Sequence, residues 1–275
     1  MTRRPVAGLT FALSVALAWA LPTASAAQAP YSVEDVLSYS FASGLVASDA
    51  TDRIAWIENR EGARNVWVAE GPAWEARALT KYVGDDGQEL ADLAFTPDGA
   101  SVLYVRGGAT NRQGEVPDPL YTPEEEGRAT WIVPFSGGEP RRLMDGGGVS
   151  VSPTGDRVAY ARGRDIYTLS LEDGAEAERV ARIRGSAGSL AWSPDGSELA
   201  FVSGRGDHAF VGVLDLEASE ITYLDPSVAQ DGSPAWSPDG RRIAFLRIPN
   251  ERVVHLFAPR REALPFSIRV ADAET

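Results

Sequence analysis

Glu124-Glu125-Glu126 is the only run of three acidic residues in this 275-residue chain. Adjacent glutamates can hold the ammonium group of a peptide, provided the site is poorly hydrated, because the pairing strengthens as the local dielectric falls. Glu124 and Glu125, with Arg106 at the head of the same stretch, are therefore the substrate-contact candidates. The plain alternative for an acidic run is a hydrated loop. Asp85-Asp86, in G-D-D-G-Q-E, could bind a cation or simply sit in a solvated turn. Arg205-Gly206-Asp207 spells an integrin-type tripeptide, but between two apolar runs it reads as a turn, with His208 a turn residue beside it.

Catalytic strings are missing. No G-x-S-x-G is present, and the nearest approach, from Gly147 to Ser152, lacks the last glycine. There is no P-loop, dinucleotide fingerprint, H-E-x-x-H or calcium loop. With 0 cysteines and 2 histidines 47 positions apart (His208 and His255), no metal-ligand spacing exists, and neither a metal nor another cofactor is expected. A formal charge of −13 excludes the basic footprint that nucleic acid requires.

The N-terminus is separate in character. Arg3 and Arg4 precede an apolar run from Val6 to Leu21, and Ala24-Ser25-Ala26 follows as a small-x-small cleavage site. Residues 1–26 are expected to be a secretory signal peptide. The expected location is periplasmic or secreted, with no membrane association once the signal is cleaved. Its removal leaves 24 basic against 39 acidic side chains, a net of −15. Residues 27–43 form a short lead-in, where Ser32 with Asp35 predicts a single capped helical turn.

What must position the candidate residues is a repeat. P-A-W-S-P-D-G-R-R-I-A-F at 234–245 is nearly repeated as L-A-W-S-P-D-G-S-E-L-A-F at 190–201. Looser copies stand at 93–104 and 149–160, and a worn one at 45–56. Each reads as strand, tight turn, strand. Pro97, Pro153, Pro194 and Pro238 preset the first corner; Asp98, Asp195 and Asp239 cap a following amide; Gly99, Gly155, Gly196 and Gly240 supply the positive φ. With Thr51 in the worn copy, the turn positions recur at intervals of 48, 56, 41 and 44 residues. Four short strands per period predict blades, and the fold class is an all-β propeller of four-stranded blades. About five blades are expected, at 44–80, 93–145, 149–184, 189–225 and 234–275, the last with three strands. Aromatics before the turns (Phe95, Trp192, Trp236) and after them (Trp56, Tyr104, Tyr160, Phe201, Phe245) fit packing between blades. Two long loops, 106–129 and 247–266, both join a second strand to a third and so leave the same end of the molecule; loops of that length are more often functional than connecting.

The blade motifs, with R-N-V-W-V-A-E-G-P at 64–72, G-D-D-G-Q-E-L at 84–90, Y-V-R-G-G at 104–108 and F-V-S-G-R-G-D-H-A-F at 201–210, resemble secreted bacterial serine peptidases of the prolyl oligopeptidase family, relatives of dipeptidyl peptidase IV and acylaminoacyl peptidase. The S-P-D-G hairpins alone are also found in TolB-type propellers. The resemblance implies a propeller of seven or eight blades that caps an α/β-hydrolase domain, filters peptide substrates and contributes contacts to them. The family's Ser-Asp-His triad belongs to that second domain, and no residue of this sequence matches it. Family members of the dipeptidyl type hold the substrate N-terminus with a propeller Glu pair, and Glu124-Glu125 matches that context poorly. The expectation is thus a segment of a longer peptidase that gates substrate access and docks the catalytic domain. The alternatives are a non-catalytic TolB-like scaffold, or a five-bladed protein whose last blade is completed by an N-terminal strand. An open ring would leave two apolar blade faces bare, so the chain alone is expected to associate or aggregate.

Overall fold

The computed structural model describes residues 32–108, 127–250 and 265–273. The signal-peptide expectation, Glu124, Glu125 and His255 lie outside them. The helix α1 (Val33–Leu37) belongs to a unit of its own, 1–37. The Ser32 hydroxyl accepts the Asp35 amide at 3.0 Å, and the Asp35 carboxylate accepts the Ser32 amide at 2.9 Å, a reciprocal cap.

The remaining unit, residues 38–275, is built from antiparallel blades, four of them with four strands and a fifth with three among the described residues. The first holds β1 (Phe41–Ala47), β2 (Arg53–Arg60), β3 (Ala63–Glu70) and β4 (Arg77–Ala78). The second holds β5 (Leu90–Phe95), β6 (Ser101–Arg106), β7 (Ala129–Pro134) and β8 (Arg141–Asp145). The third comprises β9 (Ser150–Val151), β10 (Arg157–Arg162), β11 (Asp165–Ser170) and β12 (Glu178–Arg182). In the fourth are β13 (Ser186–Trp192), β14 (Glu198–Gly204), β15 (Ala209–Asp215) and β16 (Glu220–Tyr223). A single parallel bridge, Ala209 to Gln230, joins it to the fifth blade of β17 (Gln230–Trp236), β18 (Arg242–Ile248) and β19 (Ser267–Asp272).

Strand periodicity decides how the blades stack. Side chains alternate across a strand, so successive residues of a central strand must serve opposite neighbours. On β6, Val102 and Tyr104 join the cluster shared with the first blade, and Leu103 joins the cluster shared with the third. On β14, Leu199 and Phe201 pack towards the third blade, and Ala200 towards the fifth. All six of these side chains are fully buried. The core is therefore a row of four apolar seams between blades.

The turns behave as one device. Thr96, Ser193 and Ser237 each donate a hydroxyl to the aspartate two residues on, at 2.6, 2.7 and 2.5 Å. The same carboxylate oxygen accepts the amide of Ala100, Ser197 or Arg241, and the hydroxyl accepts the amide five residues after it. In the third blade, where Thr154 stands in the aspartate position, its hydroxyl bonds Ser152 and then Asp156. The glycines have φ of +67° to +75° and also touch the turn of the preceding blade. A Cβ on Gly155 would lie 3.3 Å from Pro97, one on Gly196 3.5 Å from Pro153, and one on Gly240 3.6 Å from Pro194.

The inner strands β1, β5, β13 and β17 begin three to five residues earlier than the hairpin pattern suggests, because each passes through a bulge. Gly44, Asp92, Ser189 and Ser233, each seven residues before its turn position, adopt positive φ there, as does Gly148 in the third blade. Three of the five are not glycine, which conceals the repeat in the sequence.

Candidate binding face at the long-loop end

Arginines anchor the stems of both long loops. Arg106, the last residue of β6, binds Asp86 at 2.7 Å and lies over the Tyr82 ring at 4.5 Å. Arg128, where the chain re-enters, faces Asp92 at 3.5 Å. Between them Gly107 passes so near the backbone of Arg128 that a Cβ would come within 2.6 Å of its Cα; only glycine fits. At the second loop, Arg247 on β18 grips Asp231 through two bonds of 2.7 and 2.9 Å and reaches Asp225 at 2.8 Å. Arg269 on β19 takes the same Asp225 oxygen at 2.7 Å. All four carboxylates sit in, or just after, the connection leading into the blade that bears the loop.

This placement alters the reading of two sequence candidates. Arg106 is engaged by Asp86 and Tyr82, and its side chain is 11% exposed, so it serves to set the loop stem. Asp85 and Asp86 are answered by Arg64 at 3.0 Å and by Arg106, so the pair forms arginine bridges in place of a cation site or a merely solvated turn. The hydrogen bond from Arg269, foremost, holds the Asp225 carboxyl below its usual range. Asp231 is fully buried, and a charge at such depth is tolerable only with a bidentate partner, which Arg247 supplies.

Beside the second loop, Asp207 holds Nδ1 of His208 at 2.7 Å, and Asn250 donates to the Asp207 carbonyl. The Arg205 guanidinium lies 5.2 Å from the Phe210 ring and 5.5 Å from that of Tyr223, and donates to the Tyr223 hydroxyl at 3.1 Å. The R-G-D stretch is thus a turn whose arginine is turned onto aromatic rings. Ser203 is committed to the Arg184 carbonyl and to Arg205. The contacts described for Ser203 and His208 do not join them into a nucleophile–base pair. Among the described residues no group of three or more histidines, cysteines or carboxylates could hold a metal.

At the opposite end of the inner strands lies a cavity of about 590 Å³, lined by residues of the first four blades, including Phe95, Pro97, Val151, Pro153, Trp192 and Pro194. Its aromatic wall is fixed by the indole of Trp192, which donates to the Ser150 carbonyl of the neighbouring blade at 2.9 Å; Trp236 repeats this on Ala191 at 3.0 Å. Neither end shows a catalytic constellation among the described residues.

Residues 148–247 match the family model PD40, the TolB beta propeller domain. The fold is a TolB-like β-propeller. The match takes in the third and fourth blades and the first two strands of the fifth. No curated protein matches the chain. Among solved structures, the TolB-type protein of Agrobacterium tumefaciens is similar at 20% identity and a TM-score of 0.51, over 84% of this chain and 77% of that one. A prolyl endopeptidase is similar at 12% identity and a TM-score of 0.57, over 77% of this chain and 33% of its own. The acylaminoacyl peptidase of Pyrococcus horikoshii follows at 15% and 0.53, over 75% of this chain and 35% of its own. The chain thus spans about a third of either peptidase and most of the TolB-type protein. These likenesses establish the shared propeller fold. No helix among the described residues is long and apolar enough to cross a membrane.

Proposed function

We propose that this chain is the propeller portion of an exported serine peptidase of the prolyl oligopeptidase family. It gates oligopeptide entry and docks a hydrolase domain that supplies the triad. The observation that carries this reading is the pair of long loops at one end of the propeller, with stems set by Arg106–Asp86, Arg128–Asp92 and the Arg247–Asp225–Arg269 bridge. A plain scaffold has no need to hold two long insertions in register on one face; a domain that must seat a second domain has. The non-repeat stretches named above support the same family. In this reading Glu124 and Glu125, within the first loop's sequence, meet the peptide's amino group, and Arg106 sets the stem of that loop.

The second reading, a TolB-like interaction scaffold exported without catalysis, is favoured by the greater coverage of the Agrobacterium protein. A fluorophosphonate probe on the protein as its own gene encodes it separates the two. Labelling of a serine outside 1–275 that an oligopeptide suppresses supports the peptidase. Without labelling, and with peptidyl substrates untouched, the scaffold reading takes its place.

A further inference from the structure

The third blade departs from the others at its inner edge. Successive residues of its strand β10 turn their backbone groups to opposite sides: Asp156 accepts the Leu171 amide on the outer side, and Arg157 accepts the Ser152 amide on the inner side. Ala161 therefore faces inward. The residue at that place in the other blades is Ile57, Val105, Val202 or Leu246, and each is paired with its inner strand, at Ser43, Ala91, Gly188 and Gly232. In the third blade β9 stops at Ser150, opposite Ala159, so the N–H and C=O of Ala161 have no strand partner. The cause lies in the second blade. Gly146 donates to the Arg128 carbonyl at 2.7 Å and accepts the hydroxyl of Thr130 at 2.9 Å, which keeps the incoming chain beside β7. There is room around the gap: a Cβ on Gly146, Gly148 or Gly163 would meet no described atom within 4 Å.

The same tip is basic. Residues 161–166 and 179–185 hold five arginines and one carboxylate, in a chain of formal charge −13. Strand pairing sets Arg162, Asp165 and Arg182 in one row, with Arg164 in the turn and Arg184 just beyond β12. These four arginines and Arg179 are all exposed. Asp165 lies 3.7 Å from Arg182 and 3.9 Å from Arg179, too far to bond either. Arg164 bonds the Ile183 carbonyl at 3.2 Å. Unlike the stem arginines, none of the five holds a carboxylate by a hydrogen bond among the described residues.

We propose that this tip binds an acidic peptide in extended form. One residue of the peptide would take both backbone bonds of Ala161, as an inner strand does in the other blades, and flanking carboxylates would take the arginines. Open backbone groups call for a polypeptide, which neither free phosphate nor a lipid head group supplies. Guanidinium forks match carboxylates with two bonds each. A membrane would also need apolar side chains to insert, and no exposed large one among the described residues lies between Val83 and Val228. The third blade packs on the second and the fourth, and its tip depends on no other blade. The site requires no hydrolase domain, so it stands apart from the peptidase reading.

Fluorescence anisotropy tests it on the full protein, treated with fluorophosphonate so that no probe is cleaved. The probes are a labelled peptide of alternating glutamate and valine, and its glutamine counterpart. The glutamate peptide should bind, and the glutamine peptide at least about tenfold more weakly. Arg162→Gln with Arg184→Gln, two exposed positions, should weaken the glutamate peptide about tenfold. Arg241→Gln with Arg242→Gln makes the same charge change at the exposed turn of the fifth blade and should leave binding unaltered. Methylating the amide nitrogens of the glutamate peptide, which removes its strand donors, should also cost about tenfold. No binding of the glutamate peptide, equal binding of both peptides, equal losses in both arginine pairs, or tolerance of the methyl groups would each overturn the proposal. Capture of phosphatidylglycerol vesicles through the same arginines, with no peptide bound, would assign the tip to a membrane instead.

Discussion

A single methyl group divides the turn glycines into two classes. Gly240 and Gly99 share nearly the same backbone, with φ of +70° and +67°. A Cβ on Gly240 meets Pro194 at an ordinary 3.6 Å, whereas one on Gly99 comes within 2.7 Å of both the Ser48 and Thr51 hydroxyls. Gly240→Ala should therefore cost only the left-handed backbone penalty, about 1–2 kcal/mol. Gly99→Ala adds a steric clash and should exceed it by roughly 1 kcal/mol or more; urea midpoints at constant m would compare the two. The aspartates of the same turns make a pH prediction. The hydroxyls of Thr96, Ser193 and Ser237, first among the causes, hold the carboxyls of Asp98, Asp195 and Asp239 below their ordinary range. A depressed native pKa stabilises the fold above the unfolded value, near 3.9, and that contribution is lost as pH falls through the native values. The triple variant Asp98→Asn, Asp195→Asn, Asp239→Asn should be less stable at neutral pH and lose less on acidification. If its acid transition is as steep as wild type, the turn carboxylates are not the coupled groups.

At the scale of elements, the loop stems separate strong clamps from weak ones. Asp231 is fully buried against Arg247, and its change to Asn would leave a guanidinium with half its bonds in a site only 13% exposed. Breaking a buried pair costs roughly 3–5 kcal/mol, and an isosteric amide should recover part of that. Asp92 and Arg128 meet at 3.5 Å with a third to a half of each side chain in solvent. Asn tolerates positive φ, so Asp92→Asn should change stability by less than about 1 kcal/mol. Thermal melts would rank the two, and equal losses would mean that burial does not govern the clamps. None of these clamps is apparent from spacing: Asp86 and Arg106 are 20 residues apart, and Asp225 and Arg269 are 44. Their chemistry is tertiary. The hairpins were legible because proline, aspartate and glycine report a local backbone, and the seams because a period of two assigns each side chain to a face. The bulges were not, since Asp92, Ser189 and Ser233 adopt positive φ without the glycine that announces it. Trp56 shows the limit of pattern alone: its position marks it for a seam, yet its partner is Trp67 of its own blade.

For the whole molecule, a row of blades joined by four seams implies that stability is graded along the row, as in other repeat proteins where each unit touches its neighbours. Strands β6 and β14 each feed two seams and bury most of their side chains, whereas five of the six residues of β19 are exposed. Phe201→Ala, which empties a fully buried site between the third and fourth blades, should cost about 3–5 kcal/mol. Val270→Ala, at a position 62% exposed, should cost little. Native-state hydrogen exchange reads the same gradient without mutation, because locally open segments exchange at free energies below the global value. Amides of β19 should exchange first among the strands and those of β6 and β14 last. Uniform protection across all blades would mean that the row opens only as a whole, and the graded account would fail.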